Sequence, residues 1–361
     1  MSIQDNDYYY SFPAVRGIQA GKPFFIATCP LRIIPKIFMY DEEELPVELR
    51  AQRTLNKGRI PEMARYLLEN PKNYVFSALT ASVGSDVVFN EFDGSTSIGT
   101  LKVPLDAEIL INDGQHRRAA IEEAIKENPE LAQDNIAVLF FVDEGLKRSQ
   151  QMFADLNKYA IRPSTSLGTL YDHRDQASEL ARFLAMEAKP FIGLTEFERS
   201  TISIRSNKIF TLSGIKQASR ALFGKGTKDG FNEEEQQRAL SFWNKLYSYM
   251  PEWQLVQAKD LSAAEFRKEF ITAHGIGLQA IAKVGKEILK LEGSYQELLL
   301  DKIAHLDWRK SNVAWSNRAM QHGRLSKAVS NIFLTAVEIK RQIGLSISEE
   351  ELIKEEELLS K

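Results

Sequence analysis

From Glu108 to Lys126 the chain reads EILINDGQHRRAAIEEAIK, and the run Asp113-Gly114-Gln115-His116-Arg117-Arg118 concentrates residue types that hold anions. An apolar stretch (Ile109, Leu110, Ile111) precedes it and an alanine-rich one (Ala119 to Lys126) follows, so the run falls where a strand hands over to a helix. The first turn of a helix has unpaired N–H groups and a partial positive charge, which suits a phosphate. Gly114 permits close backbone approach. His116, Arg117 and Arg118 oppose the helix dipole at that position, so helix stability does not account for them, whereas a bound anion would. The competing reading is a pair of solvent-facing arginines and a buried, hydrogen-bonded histidine. Asp113 can hold Mg²⁺ through water or orient Arg117 by a charge-assisted bond. No P-loop is present, because Gly21-Lys22 and Gly224-Lys225 lack its glycine spacing and following hydroxyl.

Two basic stretches suggest nucleic acid. Thr211 to Gly226 places Lys216 and Arg220 four apart on one helical face ahead of a basic loop, as in a recognition helix or an ordinary amphipathic one. Trp308 to Lys327 interleaves Trp308 and Trp315 with Arg309, Lys310, Arg318, Arg324 and Lys327, a mixture suited to phosphate contacts with aromatic support, although tryptophans also build cores. Ser164-Thr165-Ser166 offers hydroxyls that cap a helix or meet phosphate, with capping favoured. Cys29 reads as a small buried hydrophobe, or as a redox or interface thiol if Arg32 and Lys36 lower its pKa.

The elements that must position these residues fall into two halves. Phe12 to Met39 reads as strands with turns at Gly17, Gly21-Lys22-Pro23 and Pro30, and Asp41 to Glu48 as a surface connection. A helix follows from Ile60 to Asn70, then strands at Tyr74 to Val83, Val87 to Asn90 and Leu101 to Pro104. Ala137 to Val142 is apolar throughout and reads as a strand buried on both faces, followed by a helix from Leu146 to Leu156. Beyond residue 167 the pattern becomes helical. It comprises Asp175 to Ala188, a helix capped by Ser213 through Ala221, Glu233 to Tyr249, Ala263 to Leu289 and Lys327 to Ile343, with a hairpin at Ile202 to Leu212 around Arg205-Ser206-Asn207. The expected architecture is an α/β (α+β) domain over 1–167 and a mainly helical region over 168–361, without an internal repeat.

Composition narrows the class. The 361 residues are 43% apolar and 10% aromatic, ordinary for a soluble globular chain. No run approaches membrane-spanning length and the start (MSIQDNDYYY) is unlike a signal peptide. One cysteine precludes an internal disulfide and suits the cytoplasm. His116, His173, His274, His305 and His322 show no metal-ligand spacing, so no metal site is expected. Net charge is −3, but its distribution is uneven. Asp301 to Leu345 holds eight Lys and Arg against three acids, and the tail SISEEELIKEEELLSK holds six glutamates against two lysines.

NDGQHRRAAI resembles the signature of the DGQHR-domain proteins, grouped with the ParB N-terminal domain and sulfiredoxin. Asp113 through Arg117 match that pattern in full. Gln115 stands where sulfiredoxin has its catalytic cysteine; an amide cannot replace a thiolate nucleophile, so peroxiredoxin repair is excluded. Segments Phe12 to Phe38, Arg53 to Val83, Phe153 to Leu167 and Asp307 to Ser326 extend the resemblance over most of the chain, to the DndB family of regulators of DNA phosphorothioation (sulfur modification). The resemblance implies a ParB/sulfiredoxin-like first domain with ATP, with or without Mg²⁺, at Asp113, Gly114, Gln115, His116, Arg117 and Arg118. Arg59, in a region where relatives are basic, and Asn157, which stands like a nucleotide- or metal-contacting asparagine, join that set; their alternatives are an acidic neighbour and a helix C-cap. It further implies a repressor on duplex promoter DNA and contact with other phosphorothioation proteins. Repressors commonly read inverted half-sites as dimers, so a homo-oligomer is expected. Slow ATP hydrolysis stays open, since no catalytic base is evident. The rivals are a nucleotide-dependent nuclease or NTPase effector acting on modified DNA, and a nucleotide-sensing scaffold.

Overall fold

A computed structural model describes residues 8–38, 57–142 and 163–360, together with Met152 and Leu156. The chain forms two compact units, Met1–Ile161 and Arg162–Lys361. The expected surface connection at Asp41 to Glu48, Arg53, Asn157 and most of the expected helix from Leu146 to Leu156 lie outside the described residues; Met152 and Leu156 are helical.

The first unit is a seven-stranded mixed sheet: β1 (Tyr9–Gln19), β2 (Lys22–Pro30), β3 (Leu79–Val83), β4 (Val88–Glu91), β5 (Ile98–Pro104), β6 (Ile109–Asp113) and β7 (Asn135–Val142). Their spatial order is β4-β5-β1-β2-β7-β3-β6, with only β3 and β7 parallel. Helices α1 (Ile34–Ile37), α2 (Ile60–Glu69) and α3 (Gln115–Glu127) share one core with the sheet through Ile34, Leu67 and Ile121. The β1–β2 turn is Ala20-Gly21, both at positive φ, the two-residue hairpin geometry that matches strand twist. Gly17 lies inside β1 rather than at a turn: Phe24 occupies the space a Cβ would need. β7 is not buried on both faces. Ile136, Val138 and Phe140 point inward while Ala137 is exposed, the period of a strand whose helical cover, among the described residues, lies on one side.

The second unit is helical: α4 (Thr165–Tyr171), α5 (Gln176–Glu187), α6 (Leu212–Phe223), α7 (Glu233–Ser248), α8 (Pro251–Ala258), α9 (Ala263–Glu269), α10 (Gly275–Ile288), α11 (Gly293–Ala304), α12 (Val329–Ile343) and α13 (Glu349–Leu359). α10 is apolar nearly all round (Ile276, Leu278, Ile281, Val284, Ile288) and packs against α6 and α12 at the centre of the core. The single helix expected from Ala263 to Leu289 is broken between α9 and α10. There the 308–310 segment claims its backbone: Ile271 N–H donates to Trp308 O (3.0 Å) and Lys310 N–H to Glu269 O (2.8 Å).

No hairpin forms at Ile202 to Leu212. Strand β9 (Phe210–Thr211) instead pairs in parallel with β8 (Thr195–Glu196), and Arg267 donates to the carbonyls of Ser203 (3.0 Å), Ile204 (2.9 Å), Ser206 (2.9 Å) and Lys208. Thr211, not Ser213, caps α6, accepting from Gly214 N (3.1 Å); Ser213 lies in the first turn and bonds Ser166 Oγ (3.0 Å). Ser164 caps α4. No described helix is long and apolar enough to cross a membrane.

Candidate functional site

The signature turn is built by a strand running straight into a helix. β6 ends at Asp113, Gly114 takes φ +107° as the N-cap, and α3 begins at Gln115 without a side-chain cap. A side chain at Gly114 would collide with Leu79 and lie 3.0 Å from Arg117 Nη2, so glycine is required both for the dihedral and for the space. Arg117 bonds Asp113 Oδ2 (2.5 Å), Ser77 Oγ (2.6 Å) and Ala78 O (3.2 Å). Of the two readings of Asp113, the geometry displays the orienting one. Arg118 pairs with Glu122 (2.7 Å) and donates to Pro35 O (3.0 Å), tying α3 to α1. Gln115 Nε2 turns back to Ile111 O (3.1 Å).

Arg59, at the N-cap of α2, is exposed, and its charge reaches His116. Burial and the positive charges of Arg59 and Arg117 hold the His116 imidazole below its ordinary pKa, against the pull of Asp113. Asp113, His116, Arg117 and Arg59 are therefore brought together, around a helix start whose first amides have no intrahelical acceptor. Sequence reasoning missed what lies behind them: Thr80, Ser82 and Asn112 are buried polar residues, with Asn112 Nδ2 2.5 Å from Ser82 Oγ. The hydroxyls alternating through LTASV were the available signal.

The cations considered for DNA divide into two groups. Lys216 (2.5 Å) and Arg220 (3.2 Å) both pair with Asp175, the α5 N-cap, and Arg220 also holds the loop carbonyls of Gly226 and Thr227. Burial opposes ionisation of Asp175, but hydrogen bonds from Lys216 and Ser178 outweigh it and hold the carboxyl below its usual range. Lys310 donates to Arg267 O (2.6 Å). Arg318 meets Glu355 (2.8 Å) and Glu338 (3.2 Å), so the acidic tail, as α13, folds back on this segment. Arg309, Arg324 and Lys327 are exposed and have no ion-pair partner among the described residues. Arg324 lies in β11 (Arg324–Leu325), which pairs with β10 (Met320–Gln321) across a turn at His322-Gly323, both at positive φ. Trp308 and Trp315 are not surface platforms: both are buried, their rings parallel at 5.3 Å. Cys29 is buried in the first core, and burial raises its thiol to about 12, which removes the low-pKa reading; Arg32 instead bonds Gln133.

Residues 12–346 match the model of a family described as DndB, DNA-sulfur modification-associated. The chain belongs to the DndB family. Membership ties the protein to DNA sulfur modification, and the match runs through both units, ending just before α13. No curated protein and no solved structure matches the chain.

Proposed function

We propose that this DndB-family protein is a cytoplasmic, homo-oligomeric repressor that binds duplex promoter DNA of phosphorothioation genes and holds ATP at the signature turn of a ParB/sulfiredoxin-like first unit. The observation that carries this reading is the exposure of the cations Arg309, Arg324 and Lys327, Arg324 on the β10–β11 hairpin, in a chain of a DNA-modification family. Unpaired, exposed cations are the groups that can exchange counterions for phosphates. Support for the nucleotide is the uncapped start of α3 beside Arg59 and His116. Coupling between the ligands requires ATP to bind the DNA-competent and released forms with different affinity.

A gel-shift titration over salt tests the first part. The promoter duplex should bind more tightly than an unrelated duplex, and the affinity should fall steeply with salt. Equal binding to both duplexes refutes repression, and Mg²⁺-dependent strand cleavage would establish the nuclease instead. For the second part Arg59→Ala is a better probe than Arg117→Ala, because Arg117 is anchored by three internal contacts and its loss disturbs the turn itself. ATP affinity should drop about tenfold in Arg59→Ala, the scale of one charge-assisted contact. An unchanged affinity removes Arg59 from the site.

A further inference from the structure

The helical unit contains a cleft of about 790 Å³ that shares Lys327 with the exposed cations above. Ile209, Phe210 and Leu278 form its buried apolar floor, and exposed Ala264 stands at its wall. One end closes on the start of α10. Its N-cap His274 makes no side-chain cap bond, and His274 and Gly275, the first residue of α10, both line the cleft, so the Gly275 amide is without an intrahelical acceptor at its edge. Ser200 and Thr201 line it as well.

Most cations around this space are already engaged, Arg267 by main-chain carbonyls, Lys310 by Arg267 O and Lys268 by Glu269, which leaves Lys327 exposed and without an ion-pair partner among the described residues. Arg267, Lys268 and Lys327 line the cleft, and Lys310 is close enough to act on His274 together with Arg267 and Lys327. The acids that face it are Glu265 and Glu269, and Glu269 is shared between Lys268 (3.4 Å) and Lys310. An anion in the cleft would meet Lys327 as an exposed cation with no ion-pair partner among the described residues. Volume, apolar floor and convergent polar groups match the general character of small-ligand sites, which span about 300–1,000 Å³.

We propose that this cleft binds a phosphorylated small molecule of nucleotide size, its phosphate at Gly275, where α10 begins, and Lys327, and its apolar body against Phe210 and Leu278. The site is separate in sequence from the signature turn and does not depend on a nucleotide binding there. The shared chemistry with a nucleotide at the signature turn makes variants, rather than ligands, the means of telling the two apart.

The test is equilibrium dialysis of the full chain with ATP, AMP and inorganic phosphate. Ala264→Trp fills the cleft from an exposed helix position without changing charge, and Lys327→Ala removes the exposed cation; Arg59→Ala reports on the signature turn. A binding component weakened about tenfold in both cleft variants, and retained in Arg59→Ala, is the expected result. Should Ala264→Trp fail to fold, judged by its melting curve, Lys327→Ala alone decides. Binding lost in Arg59→Ala but untouched by the cleft variants overturns this proposal and leaves the signature-turn reading standing. The opposite pattern supports the cleft and removes the other. Absence of saturable binding for all three probes overturns the cleft proposal outright.

Discussion

The α6 cations and the 309–327 cations look alike in sequence and differ in what they are free to do. Lys216 and Arg220 lie on one helical face beside a glycine-rich loop, but both pair with Asp175, and Arg220 also bonds the loop carbonyls. Arg324 and Lys327 meet no comparable acid and stay in solvent. The signature turn resembles α6 in this respect: Arg117 and Arg118 are taken up by Asp113, Glu122 and main-chain carbonyls, leaving Arg59 as the exposed cation beside His116. Counting positive residues therefore overstates the charge available to a ligand. What decides is whether an acid or a carbonyl has reached the cation first.

The contrast breaks most visibly at Asp175. Asp175→Ala removes the α5 cap and the acid shared by two partly buried cations, which keep only Ser178 and the loop carbonyls, so the helical unit should lose roughly 3 kcal/mol in urea denaturation, while Asp175→Asn should recover the cap's share, about 1 kcal/mol. A parent-like midpoint for the alanine variant would mean that Lys216 and Arg220 are not engaged after all. Next in size is the acid response of His274, whose pKa is pushed down to about 4 by burial, with the nearby cations reinforcing the shift. Its folded pKa lies below the unfolded value of about 6.5, so its contribution is present above that pH and disappears as pH falls toward 4, at most about 3 kcal/mol. His274→Gln should flatten the stability profile across that window; a profile that keeps its slope assigns the acid sensitivity elsewhere.

Gly114→Ala should cost the first unit about 2 kcal/mol, from positive φ and the clash with Leu79, measured by hydrogen exchange of β6 amides. The smallest effect on stability and the sharpest on function belongs to the exposed pair. Replacing Arg324 and Lys327 together should reduce the slope of log affinity against log salt by about two, whereas replacing Arg220 and Arg318 should leave it nearly unchanged. A reversed outcome would exchange the roles of the two cation sets.

Sequence reasoning succeeded where the deciding partner was local. α5 begins beside its capping Asp175 and ends within a residue of Ala188, α2 starts with Pro61 in its first turn, and the strand-to-helix handover at Gly114 follows from flanking periodicity. It failed where the partner was remote. Nothing between Ala263 and Leu289 announces a break, because the backbone groups that impose it belong to Trp308 and Lys310. The aromatic and basic residues of 308–327 could not be sorted into core and surface without knowing that Trp308 and Trp315 stack on each other inside. The short helices α8 and α11 and the acidic α13 went unread, since each has a weak apolar stripe; α13 docks through Glu351 and Glu355 on Lys340, Arg318 and Arg341.

All four tryptophans, Trp243, Trp253, Trp308 and Trp315, are buried in the C-terminal unit, and the N-terminal unit has none. Indole emission recorded through a melt therefore charts one half of the polypeptide, while far-ultraviolet ellipticity sums both halves. Any gap between the two curves counts cooperative transitions, and attributes the invisible one to the sheet.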